Sequence, residues 1–147
     1  MCPGDVPLFS SFVLSPAGQA FDRWEFDTHL GTGTDPGDAF DPVMRKVAIL
    51  LTQLRVDAIG WKGLDPTIYE VKPDARLSAF GQTLAYCWFW RQQYGQSCKR
   101  GIITSSITPQ IQTLYDAYDI ETHVVVPATP AEIVQAVNFV FNILPRR

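Results

Sequence analysis

A chain of 147 residues, 46% of them hydrophobic and 18% charged, can bury one core and is too apolar to be disordered. Its net charge of −3 and its lack of a basic run argue against nucleic-acid binding through overall charge. No apolar run reaches membrane-spanning length, so we expect no transmembrane helix. The low charge and the 4 Trp and 9 Phe fit either an oligomer or an aromatic-rich core, and both interpretations stay open.

The cysteines and histidines suggest neither a disulfide framework nor a zinc site. Cys2, Cys87 and Cys98 have no paired spacing, which predicts a reduced, intracellular chain. His29 and His123 are too few and too far apart for a zinc site.

The first twenty residues differ in character from the rest of the chain. Residues 1–20 are rich in Pro, Gly and Ser and show no helical or strand period. They predict an N-terminal arm, either a flexible leader or, as we favour, an arm that docks its aromatic side chains on a neighbouring subunit. We expect residues 21–147 to form a single domain.

The next segments predict strands. Residues 21–30 alternate, with Trp24, Phe26, Thr28 and Leu30 on one face, as in a half-buried strand. Glu25 lies on the other face and is either a solvated surface charge or a further acid for a site. A loop of Gly, Pro and Asp residues follows. The apolar run 43–53 is compatible with a strand or a helix, and we favour a strand because it leads almost directly into residues 54–61.

A β-hairpin organises the middle of the chain. Two β-rich runs, 54–61 and 67–72, flank a turn that contains Gly and Pro. A register that pairs Gly60 near Thr67 brings Asp57 across from Glu70. Lys72 lies on the same face as Glu70, because side chains alternate along a strand.

A helix is expected after the hairpin, from Ala75 to about Tyr94. Its predicted packed stripe consists of Leu77, Phe80 or Gly81, Leu84, Trp88 and Arg91. Gln82 and Tyr86 are four residues apart and therefore share another face, which would point toward Glu70 and Lys72.

The last third of the chain predicts a strand–helix–strand–helix unit. A strand over 100–106 precedes a helix that Thr108-Pro109 starts. A strand over 121–126 precedes a helix that opens with a capping box from Thr129 to Glu132 and has Leu144 on its apolar stripe. Such alternation favours a parallel β-α-β extension of the sheet.

These residues in this order resemble the PD-(D/E)XK nuclease superfamily. Asp57 corresponds to its acidic motif and Glu70-Val71-Lys72 to its E-x-K motif. Gln82-Thr-Leu-Ala-Tyr86 is similar to the helix motif of the RecB-like and lambda-exonuclease-like branch, and the Glu-Val-Lys-Pro stretch resembles phage-encoded proteins. The resemblance implies a restriction-endonuclease-like α/β fold, with an antiparallel meander and a parallel β-α-β extension flanked by helices. The leading helix of this family, which often carries an extra acid, is not evident in the sequence.

The resemblance also implies an activity, the Mg²⁺-dependent hydrolysis of DNA phosphodiester bonds at ends or in branched DNA, with Mn²⁺ as a substitute. Asp57 and Glu70 would hold the metal together with the Val71 carbonyl, since Mg²⁺ takes oxygen ligands. Lys72 would orient the attacking water or offset phosphate charge, and Gln82 and Tyr86 would position the phosphate.

A DNA-binding surface would have to be local. The candidate cations around the helix ends and the terminus are Arg76, Arg91, Lys99, Arg100 and Arg146-Arg147. Of these we assign Arg76 to substrate binding.

Two other functions compete with the nuclease hypothesis. The low charge and acidic pI also suit a non-catalytic, homo-oligomeric bacteriophage head, neck or tail component with a nuclease-like fold. The other hypothesis is that the cluster is only a structural ion-pair network, made by Asp57, Glu70 and Lys72. The first two hypotheses place the protein in the host cytoplasm or in the virion.

Overall fold

A five-stranded mixed sheet organises residues 1–143, the part of the chain that this computed structural model describes. Its strands are β1 (Arg23–Leu30), β2 (Leu54–Lys62), β3 (Asp65–Val71), β5 (Lys99–Thr104) and β7 (Ile120–Val124), in that order across the sheet. β1, β2 and β3 form an antiparallel meander, and β5 and β7 continue it in parallel. The short strands β4 (Asp74–Ala75) and β6 (Ser106–Ile107) pair in a separate ribbon.

Helices cover both faces of the sheet. They are α1 (Val6–Leu14), α2 (Pro16–Gln19), α3 (Pro42–Thr52), α4 (Leu77–Tyr94), α5 (Pro109–Ala117) and α6 (Pro130–Ile143), with a 3-10 turn at Pro3–Asp5. α1 and α6 pack on one face, over a core that includes Tyr69. α4 packs on the other face, where Tyr86 and Trp90 contact Ile59 and Ile68. Within the described residues, no helix is long and apolar enough to cross a membrane. The predicted α/β architecture is confirmed.

The central hairpin has the predicted register. Gly60 is the partner of Thr67, and the antiparallel ladder runs from Lys62–Asp65 to Ala58–Tyr69. The predicted strand–helix–strand–helix unit is also present, because β5 and β7 are parallel and α5 connects them.

Side-chain caps start the last two helices as predicted. Thr108 Oγ1 accepts a hydrogen bond from the Ile111 N–H, and Pro109 is the first residue of α5. Glu132 Oε2 accepts from the Thr129 N–H at 2.7 Å, while Thr129 Oγ1 accepts from the Glu132 N–H, which completes the capping box. Leu144, predicted for the apolar stripe of α6, lies outside the described residues.

The predicted strand over residues 43–53 is wrong, because this segment is the helix α3. Asp41 is its N-cap and accepts hydrogen bonds from the N–H groups of Val43 and Met44, and Pro42 occupies the first turn. The cap and proline start a helix, which the apolar run alone did not distinguish from a strand. The three-stranded meander is present, but its first strand is β1 and not the segment 43–53.

Residues 6–14 form a helix despite the missing periodicity. Leu8, Phe12 and Val13 of α1 are buried, and the Phe12 ring lies 6.0 Å from the Trp24 ring and 5.1 Å from the Tyr69 ring. The aromatic side chains of this segment therefore dock on the sheet of their own chain, where we expected a neighbouring subunit. Helical period is weak here because α1 is apolar nearly all round, as in a helix held between a sheet and another helix.

The buried stripe of α4 differs from the predicted one. Ala79, Thr83, Tyr86 and Trp90 are buried, whereas Leu77 and Trp88 are exposed. Apolar residues occur all round this helix, so the period alone allowed more than one inward face. The sheet selects the face that carries the Q-x-x-x-Y tyrosine.

The expectation of three unpaired cysteines is also wrong. Cys87 on α4 forms a disulfide with Cys98, with a Cα–Cα distance of 6.0 Å, and Cys2 remains free. Gly95, with φ 65°, ends α4 in the left-handed conformation and turns the chain back alongside the helix. The two cysteines meet through this turn, which their spacing in the sequence does not reveal.

Candidate functional site

The candidate site lies where β2 and β3 separate. The last pair of their ladder is Ala58–Tyr69, and beyond it Asp57 Oδ2 accepts a hydrogen bond of 3.0 Å from the Val71 N–H. The Asp57 carboxylate thus takes the place of a main-chain carbonyl as the acceptor for the Val71 N–H. The backbone ladder between β2 and β3 ends at this point. This places Asp57 beside Glu70, as the hairpin register predicted.

Glu70 is the most deeply buried acid of the site. Its Oε1 forms an ion pair of 3.0 Å with Lys72 Nζ, and only 2% of its side chain is exposed. Its Oε2 is buried and no donor among the described residues reaches it with hydrogen-bond geometry, although the Tyr86 hydroxyl lies close enough to stabilise the carboxylate charge. Buried carboxylate oxygens normally have a partner. An unpaired one beside a second carboxylate therefore needs an explanation.

The electrostatics of the pair keep a proton on Lys72. Burial raises the pKa of Glu70 and the charge of Asp57 raises it further, while Lys72 and Tyr86 act in the opposite direction. Burial alone would lower the pKa of Lys72, but the carboxylates of Glu70, Asp57 and Asp5 outweigh it and raise that pKa. At neutral pH the Lys72 side chain is an ammonium, which donates hydrogen bonds.

Gln82 and Tyr86 of α4 face this cluster, as predicted from their spacing. The Gln82 side-chain amide donates to the Tyr86 hydroxyl at 3.4 Å. Tyr86 is buried, and its burial together with the nearby charge of Glu70 raises the pKa of the phenol. Tyr86 is therefore a neutral hydroxyl at any physiological pH, while Gln82 remains partly exposed at the rim.

Asp5 is a site residue that the sequence reasoning missed. It lies buried at the start of α1 and accepts a hydrogen bond from the Cys2 N–H at 3.3 Å. Its charge contributes to the raised pKa of Lys72. The turn that leads into α1 thus brings a further acid to the site. The signal was an acid directly before Val6-Pro7, a residue type that favours the N-cap position followed by a proline in the first turn, although the Asp5 side chain does not cap α1.

Asp27 is a second acid that we missed. The β1–β2 register pairs Phe26 with Ala58 and Thr28 with Val56, which sets Asp27 opposite Asp57. The Met1 ammonium contacts both acids, at 3.1 Å from Asp57. Asp27 has a φ of 51°, a value that is uncommon for a residue other than glycine. Such backbone outliers concentrate at functional sites.

The alternation predicted for β1 does not hold across Asp27. Trp24 and Leu30, which we placed on one face, are both buried, but in the cores on opposite sides of the sheet. The alternation of side chains between the two sheet faces is therefore interrupted at Asp27, whose φ is positive. Glu25, the other acid considered on this strand, pairs with Arg23 at the surface.

The donor set is compatible with a hard divalent cation that retains water ligands. Within residues 1–143, no group of three or more His, Cys, Asp or Glu side chains is close enough to enclose a metal. Two carboxylates, a main-chain carbonyl at Val71 and several waters match the usual coordination of Mg²⁺. Glu70 Oε2 is the open oxygen of this pair of acids, because Asp57 Oδ1 contacts the Met1 ammonium and Asp57 Oδ2 accepts from the Val71 N–H.

The predicted basic residues are spread over the surface. Arg76 is exposed at the start of α4 and pairs with Asp74. Lys99 and Arg100 pair in register with Thr67 and Ile68, at the end of β3 away from the site. Arg91 is exposed near the end of α4, and Arg146-Arg147 lie outside the described residues.

Comparison with known proteins gives a match in fold. No family model and no curated protein sequence matches this chain. A solved structure described as an EndoMS–dsDNA2 complex is similar to 86% of this chain with a TM-score of 0.50 and 16% identity. EndoMS in apo form and a repair endonuclease from Pyrococcus abyssi have TM-scores of 0.45, with 21% and 23% identity over 53% and 50% of this chain.

The chain is shorter than all three of these proteins and covers 44%, 34% and 33% of their lengths, respectively. The identities are too low to transfer a function. The match with the EndoMS complex shows a shared fold, a mixed sheet flanked by helices of the restriction-endonuclease-like kind.

Proposed function

We propose that this protein is a Mg²⁺-dependent nuclease that hydrolyses DNA phosphodiester bonds, at ends or in branched DNA. The observation that carries the proposal is the buried Glu70, with one unpaired oxygen, between Asp57 and Lys72. A purely structural ion pair would be expected to use both carboxylate oxygens, because an unpaired buried oxygen costs stability. The arrangement is better suited to binding a cation than to holding the fold together.

The metal ligands in this proposal are Asp57, Glu70 and the Val71 carbonyl, with Mn²⁺ as a substitute for Mg²⁺. When bound, the cation would lower the pKa of a coordinated water and offset negative charge on the phosphate. The hydrogen bond from Val71 to Asp57 holds that carboxylate in place against the splayed strands. Asp5 adds negative charge near Lys72 without pairing directly with it.

The remaining side chains act as donors in the reaction. The attacking water forms a bond to phosphorus and releases a proton to solvent, while the bond to the leaving sugar oxygen breaks and that oxygen takes up a proton from solvent. Lys72, as an ammonium, donates to the water or to a phosphate oxygen and stabilises charge that increases during attack. Gln82 and the neutral Tyr86 hydroxyl supply donors for the phosphate group, and Arg76 extends the binding surface.

DNA is the proposed substrate because the chain shares its fold with a structure described as a complex with double-stranded DNA. Net charge does not contribute, since it is −3. Binding therefore depends on a few local cations and on the metal, and we expect it to weaken only modestly with added salt because few phosphates are neutralised.

Cleavage of labelled linear and branched DNA with Mg²⁺ or Mn²⁺ tests the proposal. We expect metal-dependent cutting by the wild type and a loss of about 100-fold or more in each of two variants: Lys72→Ala removes a transition-state donor, and Glu70→Ala removes a proposed metal ligand. Lys62→Ala is the matched control, because Lys62 is on the same hairpin but lies over the Phe21 ring. It should keep full activity.

Circular dichroism of each variant separates lost chemistry from lost folding. A folded wild type that cuts no substrate with either metal would overturn the enzymatic proposal and favour the non-catalytic assembly component. Equal activity in the wild type and Lys72→Ala would overturn the assignment of the site.

A further inference from the structure

Helix α3 has its apolar side toward solvent. None of its residues is buried, and its exposed apolar side chains, together with Phe40 just before it, are Val43, Met44, Val47, Leu50 and Leu51. Their exposed fractions range from 43% at Val47 to 77% at Leu51. A surface helix normally turns its apolar stripe to the core and its charged residues outward. α3 is inverted in this respect.

The inner side of α3 is held by its own chain. The Ile49 carbonyl approaches Gly33 so closely that a Cβ there would lie 2.2 Å from it. Arg45 pairs with Asp35 and with Asp38 in the loop before the helix. These contacts fix the orientation of the helix and leave the apolar stripe outside.

We propose that the outward face of α3 is an interface between two copies of this chain. The six side chains present roughly 600–700 Å² at these exposures, close to the ~800 Å² that each partner contributes to a standard interface. A stripe of aliphatic and Met side chains is self-complementary, so a two-fold pair covers it with the same residues from the partner. The pairing is independent of the proposed nuclease activity.

Charge favours a second copy over nucleic acid as the occupant. Arg45 is engaged by Asp35 and Asp38, which leaves Lys46 as the remaining cation of the helix. A nucleic-acid surface would need several cations along its length. Two helices in antiparallel orientation also keep the acidic loops that precede them apart, whereas a parallel pair would bring those loops together.

Sedimentation equilibrium without DNA or metal tests this interface, from micromolar to roughly 100 µM protein. We expect the wild type at twice the chain mass of 16.5 kDa. Val47→Glu combined with Leu51→Glu should sediment as a monomer, with dimer affinity reduced at least ~100-fold by two buried charges. Leu64→Glu is the matched control, because Leu64 is 83% exposed in the β2–β3 turn, and it should remain dimeric.

A second measurement does not depend on those variants folding. In a Cys2→Ser background, Val47→Cys should form an intersubunit disulfide under mild oxidation, whereas Leu64→Cys should not. A monomeric wild type, a dimeric double variant or a larger ring would each overturn the proposal. Loss of DNA binding in the double variant with no change in mass would identify nucleic acid as the occupant and also overturn it.

Discussion

Glu70 is held at a cost to folding. Its pKa is raised by burial and by Asp57, so the ionised form is less favourable in the folded chain than in the unfolded one. Lys72 and Tyr86 lower that pKa but do not offset the burial, and no donor reaches Oε2 with hydrogen-bond geometry among the described residues. We therefore predict that Glu70→Gln raises the unfolding free energy at neutral pH by about 1 kcal/mol, or about 2–4 °C in Tm, while removing activity. Thermal unfolding measures the first effect and the cleavage assay the second.

The pH dependence of this gain follows from the sign of the shift. A carboxyl with a raised folded pKa contributes stability below its unfolded pKa, and that contribution is lost as pH rises through the folded pKa. The advantage of Glu70→Gln should therefore grow as pH rises from acid toward neutral. Glu25→Gln at the sheet surface is the control and should change Tm little at any pH. A Glu70→Gln variant less stable than wild type at pH 7 would mean that the pair stabilises the fold.

At the level of elements, β3 and β5 meet so closely that residue 101 must be glycine. Gly101 is the register partner of Tyr69, and a Cβ at Gly101 would lie 2.2 Å from the Tyr69 ring. The ring is buried under α1 and cannot move aside freely. Gly101→Ala should cost about 2–3 kcal/mol through overpacking, measured by urea denaturation.

Gly81→Ala on α4 is the control for Gly101→Ala. A Cβ there would meet nothing within 4 Å, so Gly81→Ala should stabilise the helix by about 0.5–1 kcal/mol. The two glycine-to-alanine changes are thus expected to have opposite signs. Destabilisation of similar size in both would show that the close β3–β5 contact is not the cause.

On the scale of the whole molecule, α1 is part of the folding unit. Phe12 is 1% exposed and contacts Trp24, Tyr69 and His123, which lie on three different strands. Phe12→Ala should cost about 3–4 kcal/mol and shift one cooperative transition, followed by circular dichroism and tryptophan fluorescence together. The exposed Leu77→Ala is the control, with an expected change below about 1 kcal/mol. A separate early transition of residues 1–20 would instead identify an independent arm.

The parts of the site that were predictable depend on short-range geometry. The turn between β2 and β3 determines their register, which brings Asp57 beside Glu70, and the alternation of a strand then places Lys72. The caps at Thr108 and Thr129 fixed two helix starts for the same reason, since each involves residues only three apart. Asp41-Pro42 carried the same kind of signal for α3 and was overlooked.

The sequence by itself determined the hairpin, the E-x-K and Q-x-x-x-Y motifs and the strand–helix order that makes this an α/β sheet. Tertiary structure decided what required distant segments to meet. It selected the inward face of α4, folded α1 onto the sheet, and brought Asp5 and Asp27 to the site from other elements. The physical reason is that hydrogen bonds within turns and caps join near neighbours in the chain, whereas burial depends on surfaces that come together only on folding.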